Sequence, residues 1–242
     1  MKILVAISKV PDTTTKITIK EGKINEEGVQ WIINPFDEWY ALVKAVELKE
    51  KNVAAHVTVL SVGDASSDAI LRKALAYGAD EAVRIDAVPN DSYFTAAQIA
   101  AYARNEQYDL ILTGKESIDY NQGAVGGIVA GLLQQPYAAL ATSLEFGGSN
   151  IKITRETEGG TQIEEIELPA VVSCTKGMAT QRIPNMRGIM VARTKPLKSI
   201  AANSAVPLTE VVSYELPEEK GAVKLFDNVE DFVSALKDNK LL

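Results

Sequence analysis

The feature that most constrains the fold is the alternation of short apolar runs with segments of helical periodicity through the first half of the chain. Apolar, β-branched runs predict strands at residues 3–8, 56–62, 81–85 and 109–113. Helical spacing predicts helices near residues 39–49, 66–77 and 92–106, and a fourth helix that opens among the glycines after residue 122. Such alternation predicts a mostly parallel, doubly wound sheet with ligands beyond the carboxyl ends of its strands.

The fourth predicted strand leads into the loop-and-helix sequence GKESIDYNQGAVGGIVAGLL, residues 114–133. Glycine and alanine at the start of a helix leave its first N–H groups open to an anion such as phosphate. A Walker loop is absent because Lys115 is followed by Glu116, and the chain has no GxGxxG. The alternative is that these glycines only relieve crowding between helix and sheet. The position of the loop at the carboxyl edge favours a nucleotide site.

Three strand-end loops, at Ser8, Val62 and Gly114, are predicted to lie on this same edge and to line one pocket. Asp119 is the only carboxylate with an obvious functional position in the glycine loop. Its side chain is expected either to contact a ligand or to hold the loop as an Asx-type cap.

Composition excludes several classes of function. The formal net charge of −7 argues against binding a phosphate backbone, and no apolar run reaches the roughly 18 residues that span a bilayer. With only Cys174 and His56, the chain lacks the cysteines and histidines of a disulfide, zinc or iron–sulfur site. Because Met1 and Lys2 lead directly into the first strand, we expect a bacterial cytoplasmic chain or an already processed organellar chain.

After Pro136 the pattern changes to strand-like segments separated by Gly-Gly pairs, which predicts an antiparallel extension of the sheet at residues 143–146, 151–156, 162–167 and 170–174. Residues 175–197 are basic and rich in proline, and are expected to be irregular. Residues 198–242 are predicted to form an arm with a terminal amphipathic helix near 229–236. We expect this arm to dock on a partner; folding back on the sheet is the alternative.

No nucleophile with an adjacent base, and no pair of carboxylates in a predicted pocket, can be identified. His56 begins a strand and Cys174 ends one, and both positions are typical of packing residues. A nucleotide site without catalytic groups favours a binding or electron-carrying role, in which the chemistry belongs to a cofactor.

Five segments together resemble the β subunit of electron transfer flavoprotein, in matching order from residue 1 to about residue 197. They are ILVAISKVPD, INPFDEWYALVKAVELKE, ALAYGADEAVRI, GKESID and RIPNMRGIMVARTKPL. The resemblance implies a Rossmann-like fold of the adenine nucleotide α-hydrolase-like type over residues 1–197. It also implies that residues 198–242 form an arm that docks on the partner subunit.

The resemblance further implies a heterodimer with an electron transfer flavoprotein α subunit and an FAD shared with that subunit. This chain would also hold an adenine nucleotide of its own. By position, the residues implied to bind cofactor are Ala6, Asn34, Pro35, Phe36, Asp37, Val62, Gly114, Asp119, Gln122, Gly123, Ala124, Val125, Gly126 and Gly127.

The identity of that second nucleotide is left open between AMP and a second FAD. The AMP-containing branch of the family carries Asn, Gln and Thr where this chain has Gly123, Ala124 and Val125. The valine resembles the bifurcating branch, which holds a second FAD in this place but typically has glycine at the position of Tyr120.

The family also uses a loop that inserts an apolar side chain into partner flavin dehydrogenases, such as acyl-CoA dehydrogenase. By register with RIPNMRGIM, the resemblance implies that this loop is residues 176–181 and that the inserted side chain is Met178. Ordinary packing is the alternative role for a lone methionine.

Two other classes of function compete with electron transfer. One is a stand-alone adenine-nucleotide-binding enzyme of α/β architecture, and the other is a non-redox binding module that pairs with a partner but holds no flavin. Neither requires a membrane-inserted segment or a nucleic-acid partner.

Overall fold

The computed structural model describes residues 1–242, and the chain divides into two compact units. The larger unit comprises Met1–Lys16 and Glu26–Val212, and the smaller comprises Ile17–Asn25 and Ser213–Leu242. The strands are β1 (Lys2–Ala6), β2 (Lys9–Pro11), β3 (Ile19–Lys20), β4 (Lys23–Ile24), β5 (Trp31–Ile33), β6 (His56–Gly63), β7 (Glu81–Asp86), β8 (Leu110–Gly114), β9 (Tyr137–Gly147), β10 (Asn150–Thr157), β11 (Gly160–Glu167), β12 (Ala170–Cys174) and β13 (Leu197–Ala201). The helices are α1 (Glu38–Glu50), α2 (Asp68–Tyr77), α3 (Ser92–Glu106), α4 (Val125–Leu133), α5 (Met186–Ala192) and α6 (Val229–Asp238).

The larger unit is built on a nine-stranded sheet in the order β11-β10-β9-β12-β8-β1-β6-β7-β13. The strands from β9 to β13 in this order are parallel, whereas β9, β10 and β11 form an antiparallel meander at one edge. β1 lies between β6 and β8, with Val5 opposite Val59 on one side and Leu112 on the other. The predicted α/β class with a mostly parallel sheet and an antiparallel extension is therefore confirmed.

Alternate residues of β1 face two separate hydrophobic clusters, one on each face of the sheet. Ile3 and Val5 pack with α1 and α2, and Leu4 and Ala6 pack with α3 and α4. Because both faces are covered, all four of these side chains are buried. Helices on both faces are the defining property of a doubly wound sheet.

The prediction that residues 170–174 continue the antiparallel extension is wrong. These residues form β12, which lies between β8 and β9 and is parallel to both. All five β12 residues are buried, as is typical of a central parallel strand. The uninterrupted apolar character of AVVSC was the sequence signal for this position.

The prediction that residues 175–197 are irregular is also wrong in part. Helix α5 lies within this segment, and β13 begins at its end and pairs with β7. Asn185 is the N-cap of α5, since its Oδ1 accepts a hydrogen bond from the backbone N–H of Gly188 at 2.8 Å. The boundary predicted after residue 197 falls at the start of the edge strand β13.

The smaller unit contains the hairpin β3–β4 and helix α6. Glu21 and Gly22 both have positive φ, at 55° and 73°, as a two-residue hairpin turn of type I′ requires. Helix α6 contains the predicted segment 229–236, and Asn228 caps it through the N–H of Asp231 at 2.8 Å. The predicted terminal helix is therefore confirmed.

Helix α4 packs on the sheet through Gly126. A Cβ at this position would lie 2.8 Å from Thr113 Oγ1 and 3.1 Å from the Tyr137 hydroxyl. Gly131 is on the same helix, and no atom lies within 4 Å of the position that its Cβ would take. One glycine is therefore required by close packing, whereas the other is not.

We expect Gly126→Ala to lower the free energy of unfolding by about 1–3 kcal/mol, because the added methyl group overpacks the contact with Thr113 and Tyr137. The matched variant Gly131→Ala should raise it by about 0.5–1 kcal/mol, since alanine favours the helix more than glycine does. Urea unfolding followed by far-UV circular dichroism measures both. Equal effects of the two substitutions would contradict this account of α4.

Candidate functional site

The candidate site lies where the strand order reverses. From β1 the chain passes to β6 and β7 on one side, then crosses to β8 on the other side of β1. In open α/β sheets, ligands bind in the crevice outside the carboxyl ends of the strands at such a point. Here those strand ends are Ala6 and Gly114, with Val62 near the end of the neighbouring β6. Ala6 and Val62 are both buried.

Gly114 allows the start of α1 to come against the end of β8. A Cβ on Gly114 would lie 2.7 Å from Glu38 Cγ and 3.0 Å from both Asp37 Cβ and the backbone nitrogen of Glu38. Because two of these atoms belong to the start of α1 itself, no side chain larger than hydrogen fits without moving the helix. Gly114 is therefore needed for the geometry of the edge, whether or not it contacts a ligand.

Asn34 joins the approach to α1 with the loop after β8. Its side chain is fully buried, and Nδ2 donates to the Glu116 carbonyl at 2.6 Å. Oδ1 accepts from the backbone N–H of Phe36 at 3.0 Å. Both ends of the amide are thus used within the protein. Pro35 is half-buried, while the ring of Phe36 is 55% exposed beside them and is available to a ligand.

A buried carboxylate, Glu38, lies at the first position of α1. The backbone N–H of Ser8 donates to its Oε2 at 2.8 Å, and the Ser8 hydroxyl donates to its Oε1 at 2.7 Å. Burial raises the pKa of Glu38 to about 7, because the cost of removing the charge from water exceeds the benefit of the Ser8 hydrogen bonds. The negative charges of Asp119 and Asp37 raise the pKa further.

The neighbouring Asp37 is also buried, and it links α1 to the end of β12. Thr175 Oγ1 donates to Asp37 Oδ1 at 3.2 Å. Burial raises the pKa of Asp37 above its ordinary value despite this hydrogen bond. Glu38 and Thr175 are parts of this edge that sequence reasoning missed, whereas the loop at Ser8 was predicted to lie here. The available signal was the adjacent pair of acidic residues immediately before a strongly apolar helix.

The N-terminus of α4 carries no side-chain cap. Its N-cap residue is Ala124, and no side chain accepts from the first turn. By contrast, Asp91 caps α3 and Asn185 caps α5. The N–H groups at the start of α4, beginning with Val125, therefore remain available as donors. Backbone donors and the positive end of the helix dipole suit a phosphate group.

The glycines of this region divide between the two predicted roles. Gly126 serves packing, because a Cβ there would lie 3.2 Å from a Tyr137 ring carbon and 2.8 Å from Thr113 Oγ1, whereas a Cβ on Gly127 would make only ordinary contact with the ring at 3.4 Å. Gly123 is exposed, has φ 61° and lies in open space except for the Lys115 carbonyl at 3.7 Å. Only Gly123 is required by backbone conformation in the loop itself.

The loop between β8 and α4 is exposed around Asp119 and Gln122. Asp119 is close enough to Glu38 to raise its pKa, and the Gln122 side chain accepts a hydrogen bond from the Ser92 hydroxyl. The Lys115 ammonium pairs with Glu116 at 2.8 Å. The named side chains around this edge are thus mainly acidic, and an anion bound here would depend on backbone donors.

The other predicted site residue, Met178, lies in the hydrophobic core. Its side chain is only 3% exposed and belongs to the cluster beneath α1 and α2. In this conformation Met178 cannot insert into a partner. The most exposed apolar side chains of the residues that follow are Ile183 at 87%, Met186 at 73% and Met190 at 67%. We call residues 182–195, which contain these three side chains and α5, the docking segment.

A groove of about 930 Å³ lies beside the docking segment rather than at the carboxyl edge. Trp39 and Tyr77 line one side of it, and Ile183 and Ile189 line the other. The aromatic residues of α1 and α2 thus contribute to the core and to this groove, and not to the edge where α4 begins. None of the helices combines the length and apolar character needed to cross a bilayer.

The Glu38 carboxyl makes stability depend on pH. Its pKa is about 7 in the folded chain and near 4.5 when unfolded, so the folded state binds more protons between these values. Stability should therefore fall as pH rises through this interval, by about 3 kcal/mol for this group alone. Glu38→Gln removes the titration and should abolish that fall relative to the unaltered protein.

Chemical unfolding at about pH 5 and about pH 8 measures this difference. Glu26→Gln, at an exposed position, controls for the loss of one negative charge. An identical pH dependence in the Glu38→Gln variant and the unaltered protein would refute the role of Glu38.

Comparison with known proteins identifies the family to which the chain belongs. The electron transfer flavoprotein domain model matches residues 21–205. The chain is 37% identical over 233 residues to the electron transfer flavoprotein subunit beta of Syntrophomonas wolfei, covering 95% of this chain and 92% of that protein. It is 34% identical to the Bacillus subtilis protein of the same name over 253 residues, with 98% of both chains covered. Identity to the human protein of that name is 32% over 249 residues, covering 98% of this chain and 97% of the human one. The chain therefore belongs to the electron transfer flavoprotein β subunit family.

Proposed function

We propose that this chain forms a heterodimer with an electron transfer flavoprotein α subunit and carries electrons from flavin dehydrogenases, including the acyl-CoA dehydrogenase type, to an acceptor. Full-length similarity to proteins named as β subunits is the observation that carries this proposal.

The electrons would pass through an FAD shared with the α subunit. When bound, that flavin would supply the redox chemistry, which no side chain of this chain can provide. The part played by this chain is to bind, orient and shield. The exposed apolar side chains of the C-terminal residues support the proposal that residues 198–242 dock on the α subunit. They include Val206, Leu208, Val212, Leu216, Val223 and Leu225.

The carboxyl edge would hold a second adenine nucleotide. The backbone N–H groups of Val125 and its neighbours would bind a phosphate, since α4 has no side-chain cap. Ala6 and Val62 would form the floor, and the exposed ring of Phe36 would contact the base or ribose. Asn34 and Asp37 would act by shaping the pocket, because their side chains are engaged by Glu116 and Thr175.

Two nucleotides fit this donor set, AMP and a second FAD. Gly123, Ala124 and Val125 offer no side-chain donor, so binding would rest on backbone amides in either case. Their small size leaves room for a ligand bulkier than AMP, which favours retaining a second FAD and a bifurcating activity as the alternative function.

The nucleotide content of the purified heterodimer tests both the carrier role and the pocket. The chain would be co-expressed with an α subunit, purified as a yellow complex and denatured, and the released flavin and AMP would be quantified. One flavin and one AMP per heterodimer is the result expected of a simple carrier, whereas two flavins without AMP indicates the bifurcating alternative. A colourless, stable monomer with ATP-dependent turnover would instead favour a stand-alone enzyme.

Finding one flavin and no second nucleotide would refute the pocket at the carboxyl edge. A stable heterodimer that binds no flavin at all would refute the carrier role and leave a non-redox binding module. Reduction of the complex by an acyl-CoA dehydrogenase, followed by flavin absorbance, distinguishes a carrier from a protein that only stores flavin.

We further propose that the docking segment, rather than Met178, supplies the apolar contact with dehydrogenases. Met186 lies between Ile183 and Met190 in sequence, and all three are exposed. Truncating an interface anchor commonly costs more than about 1 kcal/mol, so Met186→Ala should raise the KM for electron transfer at least about fivefold. Its thermal stability should not change, because the side chain is exposed.

Met178→Ala is the matched variant, since it removes the same side chain from a buried position. It should lower the free energy of unfolding by about 2–5 kcal/mol through the cavity that it leaves. Its KM for the dehydrogenase should remain close to that of the unaltered protein. If instead only Met178→Ala raises the KM, residues 176–181 and not the docking segment make the apolar contact with the dehydrogenase.

A further inference from the structure

The docking segment is held to the body of the protein by charged side chains rather than by apolar packing alone. Arg72 on α2 donates from Nη1 to the carbonyl of Ala192 at 2.8 Å and to the carbonyl of Lys195 at 2.6 Å. Ala192 is the last residue of α5, where carbonyl groups have no partner within the helix. Arg72 therefore caps the C-terminal end of α5.

Lys195 makes the reciprocal contact. Its ammonium group donates to the carbonyl of Leu75 at 3.2 Å and to the carbonyl of Ala79, at the C-terminal end of α2. Lys195 is half-buried, and this burial lowers the pKa of its ammonium group. Arg72 on α2 thus caps α5, and Lys195, three residues after α5, caps α2, each at the end where the helix dipole favours positive charge.

Two further contacts fix the first half of the docking segment. Arg182 donates from Nη1 to the carboxylate of Glu50 at 3.0 Å and 3.2 Å. Gly188 lies so close to α2 that a Cβ on it would be 2.5 Å from the Ala76 carbonyl oxygen. With the paired caps, these contacts hold the segment against α1 and α2 at three places along its length.

We propose that Arg72 and Lys195 are positioning residues for dehydrogenase docking. They hold α5 in one orientation, so that Ile183, Met186 and Met190 are presented together before a partner arrives. A surface ordered in advance loses less conformational entropy on binding, and its affinity is correspondingly higher. This inference rests on the proposed docking role of the segment.

The charge of the region requires a matched control. Residues 168–209 contain no aspartate or glutamate, and their basic residues are Lys176, Arg182, Arg187, Arg193, Lys195 and Lys198. Removal of any one positive charge could weaken association with an acidic partner. Arg193 is exposed in the same segment, and its side chain bonds none of the capping carbonyls, so Arg193→Met isolates the effect of charge alone.

The test measures electron transfer from an acyl-CoA dehydrogenase to the flavin-loaded heterodimer. The variants are Arg72→Met, Lys195→Met and Arg193→Met, with Lys195→Arg as the conservative replacement. Arg72→Met and Lys195→Met should each raise the KM at least about fivefold with kcat and flavin content unchanged, because charged hydrogen bonds that fix the surface are lost. Arg193→Met should change the KM less than about twofold, as expected for one exposed charge.

Hydrogen exchange of the heterodimer gives a readout independent of the dehydrogenase. Amides of residues 186–195 should exchange faster in Arg72→Met and Lys195→Met but not in Arg193→Met, and Lys195→Arg should restore both the protection and the KM. An unchanged KM in Arg72→Met and Lys195→Met overturns the proposal, as does an equal rise in Arg193→Met. If Met186→Ala also leaves the KM unchanged, the docking role of the segment itself fails; if Met186→Ala raises it, only the positioning role fails.

Discussion

The close approach of α1 to the end of β8 is the contact on which the carboxyl edge depends. Gly114 permits it, because any Cβ at that position would collide with Asp37 and Glu38. With α1 in this position, Ser8 donates two hydrogen bonds to Glu38, and Thr175 donates one to Asp37. The ends of β1, β8 and β12 are thereby joined to one helix. This arrangement also buries the Glu38 carboxyl group, and burial raises its pKa to about 7. The edge thus combines tight packing with a group that titrates near neutral pH.

The parallel sheet could be predicted because its strands and helices have distinct periods in the sequence, and buried parallel strands are continuously apolar. The position of β12 was mispredicted because the residues of a strand do not reveal which other strands it pairs with. β9 complicated the pattern further, since residues near Tyr137 pair in parallel with β12 while residues near Phe146 pair antiparallel with β10. Helix α5 was missed because prolines and arginines around it concealed a short apolar stretch capped by Asn185.

The candidate site was predictable to the level of the loops and not to the level of side-chain roles. The small residues before α4 correctly indicated a helix start without a side-chain cap. The spacing of the glycines could not show their different surroundings, because Gly123 lies in open space whereas Gly126 packs against Thr113 and Tyr137. Nor could the sequence show that Asn34 and Asp37 are engaged by partners more than eighty residues away. Met178 illustrates the same limit, since burial is decided by tertiary packing and not by the residue type.

The pairing of β13 with β7 has a consequence for how the chain folds and how it tolerates cleavage. The outer side of β7 pairs with β13, a strand more than one hundred positions later in the sequence. Contacts between residues so far apart in sequence slow folding. Until Leu197–Ala201 is in place, β7 presents an open row of backbone donors and acceptors to any other unfinished chain. A nick that released the residues after α5 would recreate that open edge in the mature protein. Once paired, β13 replaces β7 as the edge of the sheet, and its exposed Lys198 is a charge of the kind that discourages edge-to-edge pairing.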